Sequence, residues 1–466
     1  MLSVSVLALI SCNKYLDVSP KSSVAEDEMF VSEAGFRQAL NGVYSTIAGR
    51  SLYGDNLSMG FVSALGQNYN TSGINGLFVF TRNYDYTSAE VISYTGQIWN
   101  GAYNAIAGLN NVLAFAEKNR TVLSDLAYNE IKGEALGLRA FLHFELLRLF
   151  APSFALSPNA KAIPYRISLD HYSQTPETVS GILDLVLRDL DDAAVLLKEM
   201  DPILEGKMER RYKFNYYAIK GTQARVNLYK GNNPEAYKAA KEVVDSGLFP
   251  FVTKTNVSAA AGNKDRLFKS ELVFAVRNRN IETWAVDRYF TFYGSFADRL
   301  SRSEADFMSL YEATTVGESD IRWLNLFEDS QGFKFPSKFW QTSSTSIDSL
   351  RLDHMVPVLR TSELRYILAE TAPTLEESLQ ELNLVRLART ISALPVTTAN
   401  LNRTFIQREI TKEYQKETYA EGQLFFYYKR RNFESIPFLP SAVARFDTKF
   451  YTLPIPENEL EFNPNY

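Results

Sequence analysis

Residues 128–150 read YNEIKGEALGLRAFLHFELLRLF, and they indicate the kind of secondary structure from which the chain is built. Their apolar residues recur at intervals of three and four, with charged residues between them, which is typical of an amphipathic helix. These apolar residues are Ile131, Ala135, Leu138, Leu142, Leu146 and Leu149. Further on, Thr175-Pro176-Glu177 has the form of an N-cap followed by proline at the first helical position, and predicts a second helix that ends near residue 199.

A helical hairpin is predicted over residues 213–247. Its first helix spans 213–230, Asn233-Pro234-Glu235 begins the second with the same cap and proline, and Gly247 stands where a C-terminal glycine belongs. Small residues would let the two helices approach closely, as in tetratricopeptide-type hairpins; they are Ala218, Ala224, Ala236 and Ala239. Further helices are predicted at 30–47, 97–118, 361–370, 373–390 and 402–417.

Two segments, 53–96 and 249–357, do not follow a helical pattern. The first is rich in glycine and asparagine and is interrupted by aromatic residues, while the second contains the short strand-like piece 272–276. Loops of this length inside a compact domain are usually functional. We therefore expect these segments to form a loop-rich binding region with exposed aromatic residues. The stretch from Phe450 to Pro456 is predicted to be extended and docked on the surface.

The N-terminus predicts a lipid anchor. Leu2 to Ile10 form an apolar run that is too short to span a bilayer and has the length of a signal-peptide core. The run leads to Cys12, the only cysteine, and Leu9-Ile10-Ser11-Cys12 resembles a bacterial lipobox. We therefore predict a signal peptide over residues 1–11 and acylation of Cys12, so that the protein meets the membrane through its lipid alone.

Composition and charge exclude several classes of protein. With 466 residues, 45% hydrophobic and 22% charged, the chain is expected to be globular rather than disordered. Its formal net charge of -5 offers no basic field for nucleic acid, which we do not expect as a partner.

Sequence motifs favour a binding protein over an enzyme. The three histidines, His143, His171 and His354, are widely spaced, and the usual phosphate-binding, dinucleotide-binding and nucleophile motifs do not occur. We therefore predict no catalytic residues, no metal and no cofactor. A pair of carboxylates at the spacing used by glycosidases is the alternative that sequence leaves open.

Six separated blocks then follow one another in a familiar order. They are Ser11-Cys12-Asn13-Lys14-Tyr15-Leu16-Asp17 with Pro20; Gly133-Glu134-Ala135 with Leu138-Arg139-Ala140-Phe141; Val358-Leu359-Arg360 with Glu363 to Glu370; Asn383-Leu384-Val385-Arg386; Glu417 to Arg430 with Glu421-Gly422-Gln423 and Tyr428-Lys429-Arg430; and Leu453-Pro454-Ile455-Pro456 with Glu459 and Asn463-Pro464. Together they resemble the SusD/RagB family of outer-membrane nutrient-uptake lipoproteins over nearly the whole chain.

The resemblance implies a mostly helical, SusD-like fold over residues 12–466 as a single domain, with about four tetratricopeptide-like hairpins and an irregular ligand-binding region. The hairpins would lie mainly in 30–47, 97–247 and 361–417, and the ligand region in 53–96 and 249–357. It also implies a lipid-anchored cell-surface protein of the outer membrane that delivers a glycan to a SusC-like TonB-dependent transporter. Four charged residues of the blocks are expected to be salt-bridged scaffold: Glu134, Arg139, Glu421 and Arg430.

The physics of sugar recognition selects candidate contacts in the loops. A sugar ring presents an apolar face and a rim of hydroxyls, so a binder needs aromatic platforms beside amides, carboxylates or guanidinium groups. The predicted ligand-binding residues are Tyr69, Arg82, Tyr84 and Tyr86 in the first segment and Trp284, Tyr293, Trp323 and Trp340 in the second, with Phe78, Tyr289 and Arg322 as further candidates. Trp99 is predicted to lie in the core, and His143 is predicted to be packed or partner-facing rather than catalytic. Two alternatives stay open: an oligopeptide ligand and a purely structural lid of the transporter.

Overall fold

The computed structural model describes residues 26–70, 76–169, 172–260, 263–285, 289–290, 299–330, 333–339 and 354–466. The fold is mostly helical, as predicted. Up to residue 260 the helices are α1 (Glu26–Met29), α2 (Glu33–Ile47), α3 (Phe61–Leu65), α4 (Val79–Arg82), α5 (Ala89–Lys118), α6 (Asp125–Phe150), α7 (Val179–Leu197), α8 (Tyr216–Lys230), α9 (Asn233–Asp245) and α10 (Lys254–Val257). Beyond it they are α11 (Glu282–Trp284), α12 (Glu304–Tyr311), α13 (Ile321–Asn325), α14 (Thr361–Thr371), α15 (Leu375–Ala388), α16 (Arg403–Glu417), α17 (Gln423–Arg430) and α18 (Glu457–Phe462).

Four short strands complete the described structure: β1 (Leu272–Arg277), β2 (Phe327–Ser330), β3 (Phe333–Pro336) and β4 (Met355–Arg360). β1 pairs antiparallel with β4, with Leu272 opposite Arg360 and Arg277 opposite Met355. β2 pairs antiparallel with β3. The strand-like piece predicted at 272–276 is thus confirmed, and its pairing brings the end of β4 into the core.

The long helices pack mainly against their neighbours in the chain. α5 packs on α6 and α6 on α7, while α8 pairs with α9 and α14 with α15. The hairpin of α8 and α9 is confirmed; Gly231 ends α8 in the left-handed conformation, and Pro234 lies in the first turn of α9. The more specific prediction of four tetratricopeptide-like units stays a prediction.

The predicted start of α7 is wrong by three residues. The cap is Thr178, whose side chain accepts a hydrogen bond from the Gly181 amide, and not Thr175. The segment before it is paired with another part of the chain: the Ala162 amide donates to the Glu177 carbonyl oxygen at 2.7 Å, and the Glu177 amide donates to the Ile163 carbonyl oxygen at 3.0 Å. Pro176 therefore belongs to this paired segment rather than to the first turn of the helix.

The helix predicted from residues 128–150 lies at the centre of the molecule. From Gly133 to Phe150 every residue of α6 is buried, so the predicted polar face is wrong for this part. Glycine permits close packing, since a Cβ atom at Gly137 would lie 2.6 Å from the Phe214 ring. The charged residues on this helix must therefore find partners inside the protein.

Those partners confirm that Glu134 and Arg139 are salt-bridged scaffold. Glu134 pairs with Arg210 at 2.6 Å. Arg139 makes a two-point contact with Asp189, with N···O distances of 2.7 and 2.9 Å. Each pair joins α6 to a different part of the chain, so the two ion pairs fix its position.

A larger buried ion network gathers the C-terminal blocks. Glu417 accepts hydrogen bonds from Arg322 at 2.8 Å and from Arg389 at 2.7 Å, and it also pairs with Arg360. Arg360 in turn binds Glu421 at 2.9 Å. The buried ion network consists of Glu271, Asp320, Arg322, Lys338, Arg360, Arg386, Arg389, Glu413, Lys416, Glu417 and Glu421. Burial alone would raise the pKa of Glu417, but the arginines around it hold that pKa well below the usual value.

The glycine-rich stretch after α2 is packed inside the protein, not exposed as predicted. Residues 52–69 are buried and lie against the start of α17, a helix that the sequence pattern did not predict. The Gly422 amide donates to Ser63 Oγ at 3.0 Å, and the Ala420 amide donates to Asn68 Oδ1 at 3.1 Å. Gly422 has a positive φ, and a Cβ atom there would lie 2.2 Å from the Leu57 carbonyl oxygen. The small and amide-bearing residues of this stretch therefore serve close packing.

Candidate functional site

The two loop-rich segments meet around the side chains of Arg50 and Asp55. Arg50 follows α2 directly, and its Nε and Nη2 atoms donate to Asp55 Oδ2 at 3.0 and 2.7 Å. Tyr289, from the second segment, donates its hydroxyl to the same carboxylate oxygen at 2.9 Å. Arg50 Nη2 also donates to the Tyr289 hydroxyl at 3.2 Å. These contacts fix the guanidinium plane before any ligand arrives.

Trp284 supports the guanidinium group from one side. The Arg50 guanidinium carbon lies 5.1 Å from the centre of the Trp284 ring, within the range of a cation–π interaction. The indole Nε1 of Trp284 donates to the Gly54 carbonyl oxygen at 2.7 Å, which locks the ring in place. The Arg50 side chain is 44% exposed, whereas Asp55 is buried. Within the described part of the chain, Arg50 Nη1 makes no hydrogen bond, so it can donate to a ligand.

The charge states of this site are fixed at neutral pH. Burial acts to lower the pKa of Arg50, but the Asp55 carboxylate outweighs it and raises that pKa, so the guanidinium stays charged. Burial raises the pKa of Tyr289, and the nearby Asp55 adds to the effect, so the phenol stays protonated. The arrangement therefore offers a permanent cation on an aromatic surface and suits the hydrogen-bonding rim of a polar ligand.

Aromatic rings extend from this site into both loop segments. Phe78 packs edge-on against Tyr289 at 6.2 Å, and Tyr69 lies 6.4 Å from Phe290. Tyr69 also packs against Tyr419 at 5.8 Å, which continues the ring contacts toward the C-terminal helices. The two loop-rich segments thus contact each other in the described structure, and their role as one ligand-binding region stays a prediction.

Several predicted platforms are buried, which corrects their expected exposure. Tyr69 and Tyr84 donate their hydroxyls to the carbonyl oxygens of Met59 and Leu65 at 2.5 and 2.8 Å, and Tyr84 stacks on Phe450. Arg82 and Trp284 are also buried. Burial lowers the pKa of Arg82 to about 10, and the neighbouring Arg302 adds to this effect. As placed, these side chains lie inside the protein, and none of the three aromatic rings presents an open face.

The remaining predicted contacts lie elsewhere. Tyr86 is half-buried and donates its hydroxyl to the Phe450 carbonyl oxygen. Trp323 is also half-buried; it lies between Tyr311 and the ammonium group of Lys334, which is 5.3 Å from its ring centre. Tyr293, Trp340 and Cys12 lie outside the described residues. Arg322 belongs to the buried ion network and is not available to a ligand.

The predicted core position of Trp99 is confirmed, and of the two placements predicted for His143 the packed one is correct. Trp99 is buried and packs edge-on against Phe150 at 4.9 Å. His143 is fully enclosed, and its Nδ1–H donates to the Arg139 carbonyl oxygen at 2.8 Å. Its Nε2 accepts a hydrogen bond from the Arg166 amide at 3.0 Å, which fixes the neutral tautomer. Burial lowers the pKa of His143 to about 3, so this histidine is a structural residue.

The sequence analysis missed Arg50 and Asp55. Neither belongs to a recognisable motif, because their partners Tyr289 and Trp284 lie more than 200 residues further along the chain. One sequence feature could have pointed to the site: Arg50 lies shortly after a predicted helix and five residues before Asp55, in a stretch that contains glycine. Among the described residues, no group of histidine, cysteine or acidic side chains could hold a metal ion.

Comparison with known proteins agrees with this architecture. Residues 14–228 match the SusD-like family described as "Starch-binding associating with outer membrane". The N-terminal part of the chain is therefore similar to this family. A curated SusD-like protein of Formosa agariphila is 21% identical to the protein over 311 residues, which are 66% of this chain and 54% of the relative. The chain thus matches about half the length of that relative.

Solved structures show the same fold over nearly the whole chain. A SusD superfamily protein from Bacteroides thetaiotaomicron superimposes with a TM-score of 0.72 at 22% identity, covering 93% of this chain and 98% of the other. A SusD-like carbohydrate binding protein from Bacteroides vulgatus gives a TM-score of 0.71 at 17% identity, with 93% and 97% covered. In the described residues, no helix has both the length and the apolar character needed to cross a membrane.

Proposed function

We propose that this protein is a non-catalytic glycan-binding protein of the outer-membrane surface. It captures an oligo- or polysaccharide and passes it to a SusC-like TonB-dependent transporter. The observation that carries the proposal is the meeting of the two loop-rich segments around a half-exposed Arg50 that rests on Trp284. The family description and the carbohydrate-binding neighbour support the choice of a glycan.

Arg50 is the centre of the proposed glycan site. Its guanidinium group is held by Asp55 and Tyr289, so little side-chain freedom is lost when a sugar hydroxyl binds to it. Tyr293 and Trp340, two aromatic residues selected from the second segment, are the proposed ring platforms. Because such a surface desolvates few atoms, we expect dissociation constants of roughly micromolar to millimolar.

Anchoring and delivery are further parts of the proposal. Acylation of Cys12 after removal of residues 1–11 would hold the protein at the membrane surface. Weak binding suits delivery, since a ligand must leave the protein to enter the transporter. Purification of the protein from its native membrane tests both points: a lipid mass on the peptide that begins at Cys12 and co-purification of a TonB-dependent barrel are the expected results.

A glycan array followed by calorimetry tests the binding site. We expect one glycan class to bind, and we expect Arg50→Met to weaken that binding at least tenfold. Lys198→Met removes an exposed charge outside the proposed site and serves as the matched control. Circular dichroism must show that Arg50→Met is folded. Equal binding by Arg50→Met and the parent protein would refute this site.

The outcomes of the array also separate the alternatives. Binding of oligopeptides without any glycan would favour a peptide-uptake protein. Silence toward both classes, together with an intact transporter complex, would favour a structural lid. New reducing ends after incubation with a bound polysaccharide would show a glycosidase and overturn the non-catalytic assignment.

A further inference from the structure

A second candidate binding site lies on the helical part of the protein. A cavity of about 840 Å³ opens where the end of α8 and the end of α14 meet α16 and the end of α17. It is lined by six cationic side chains, which define the basic groove: Lys230, Arg403, Arg408, Lys412, Arg430 and Arg431. Glu370 is the only carboxylate among the residues that line it. This local excess of positive charge stands against a chain whose net charge is -5.

Some of these cations are already neutralised. Arg430 makes a two-point contact with Glu370 at 2.7 and 2.9 Å. Lys412 pairs with Glu312 at 2.9 Å, and Lys230 pairs with Asp184. Arg408 also pairs, with Glu409 at 3.2 Å. These four residues therefore add little net attraction for an anion in the groove.

Arg403 and Arg431 are different, because both are exposed and neither has a carboxylate partner. The closest polar contacts of Arg403 are the Glu370 carbonyl oxygen at 3.4 Å and Ser378 Oγ at 3.5 Å. Within the described residues, the side chain of Arg431 makes no hydrogen bond or ion pair. A planar guanidinium group matches a carboxylate or a sulfate through two parallel hydrogen bonds. The groove thus presents two guanidinium groups that are not paired with a carboxylate of the described residues.

The wall and floor of the groove add complementary features. Along α16, neutral hydrogen-bonding residues stand beside the arginines: Thr404, Gln407 and Thr411. The positions from Arg403 to Lys412 extend about 14 Å along the helix, enough for a ligand of several units. Leu228, Tyr229 and Phe433 supply apolar surface below them. A ligand that fits this lining carries acidic groups, several hydroxyls and an apolar face.

We propose that the basic groove binds an acidic oligosaccharide, with its carboxylate or sulfate groups on Arg403 and Arg431. The hydroxyls of the ligand pair with Thr404 and Gln407, and its ring faces lie on the apolar floor. The choice of a saccharide rather than an acidic peptide rests on the proposed function. The groove is separate from the Arg50 site, so the protein would hold one acidic polysaccharide at two places or two ligands independently.

Calorimetry at low and moderate salt with the full chain tests this inference. The probes are an oligogalacturonate, a sulfated dextran, neutral dextran and polyglutamate. We expect the acidic saccharides to bind, and we expect Arg403→Met with Arg431→Met to weaken that binding about tenfold or more. The matched control, Lys198→Met with Lys254→Met, removes two exposed positive charges that do not line the groove, and it should leave the affinity unchanged. Oligogalacturonate and sulfated dextran distinguish a carboxylate from a sulfate ligand.

Each other outcome overturns the inference. Equal binding of neutral dextran and the acidic saccharides would show that charge is not recognised. Equal loss in the control pair would show only a general electrostatic effect, and equal binding of polyglutamate would favour an acidic polypeptide. The Arg50→Met variant separates this inference from the proposed function: if it abolishes glycan binding while the groove variant changes nothing, the groove proposal fails and the Arg50 site stands.

Discussion

The buried ion network and the basic groove both contain several arginines, but these arginines differ in burial and in the number of carboxylates that they contact. Arg322 and Arg389 in the network are at most 1% exposed, and each contacts at least two carboxylates. Arg403 and Arg431 in the groove are exposed and contact none in the described structure. A buried guanidinium group needs carboxylates to compensate for lost hydration, whereas an exposed one can keep its hydrogen-bonding capacity for a ligand.

Arg50 lies between these two extremes. It has one carboxylate partner and keeps nearly half of its side chain exposed. The number of carboxylates around an arginine, together with its burial, therefore distinguishes the arginines of the buried ion network from those that we propose to bind ligands. Substitutions along this series should give graded losses of stability.

Glu417→Gln should have the largest effect. The substitution keeps the shape of the side chain but removes the charge shared by Arg322, Arg360 and Arg389. Leaving buried charges uncompensated costs about 3–5 kcal/mol, so the free energy of unfolding in urea should fall by that amount. Glu235→Gln is the control, since its 4.0 Å pair with Lys238 is exposed and should contribute less than about 0.5 kcal/mol. Equal, small losses in both variants would show that the network does not stabilise the fold.

His143 sharpens the comparison, because this buried base has no carboxylate partner among the described residues and stays neutral. Its pKa falls from 6.5 in the unfolded chain to about 3 in the folded one, so the unfolded state binds more protons between these values. The free energy of unfolding should therefore be highest above pH 6.5, as far as His143 is concerned, and should fall by about 1.4 kcal/mol for each pH unit below that value.

Urea unfolding at pH 7.5, 5.5 and 4.5 measures this slope. Glutamine at position 143 can make both hydrogen bonds but does not titrate. The His143→Gln variant should therefore lose this dependence of stability on pH, while any other change in its free energy of unfolding should be the same at every pH. The low pKa of Glu417 adds a separate loss of stability only below about pH 4.5. An unchanged slope in His143→Gln would assign the pH dependence to other groups.

Arg50→Met should lower the free energy of unfolding by about 1 kcal/mol, an intermediate effect, because the ion pair with Asp55 is partly screened by water. Asp55 keeps its hydrogen bond from Tyr289 in this variant. Thermal unfolding compared with Lys198→Met measures the effect. A loss as large as that of Glu417→Gln would place Arg50 with the structural arginines and weaken its proposed role in ligand binding.

Local signals explain which parts of the fold could be predicted from sequence. The proline in the first turn of α9 and the spacing of apolar residues within α6 are signals between residues that lie close together in sequence. The predicted cap, Asn233, is instead the first residue of α9. The scaffold role of Glu134 and Arg139 was also predictable, since charges within an apolar helix must be paired. Their partners Arg210 and Asp189 were not, because nothing near Glu134 or Arg139 in sequence specifies them.

Burial of the glycine-rich stretch and the composition of the Arg50 site depend on distant parts of the chain. Ser63 meets Gly422 across 359 positions, and Asp55 meets Tyr289 across 234. Glycine and asparagine are typical of both exposed turns and tight packing, so composition could not distinguish these two uses. Aromatic content pointed to the two segments that meet around Arg50 but could not tell which rings lie in the core.

The smallest effect on stability is expected for Arg403→Met combined with Arg431→Met. Both side chains are exposed and unpaired with carboxylates, so the free energy of unfolding should change by less than about 0.5 kcal/mol. Removal of two like charges from a basic groove can even stabilise the fold slightly, because the remaining cations repel each other less. A loss above about 2 kcal/mol in urea would show that these arginines hold the helices together, and would place the groove with the buried ion network as scaffold. A neutral result, joined to weaker binding of acidic saccharides, is what separates an arginine kept for recognition from one kept for folding.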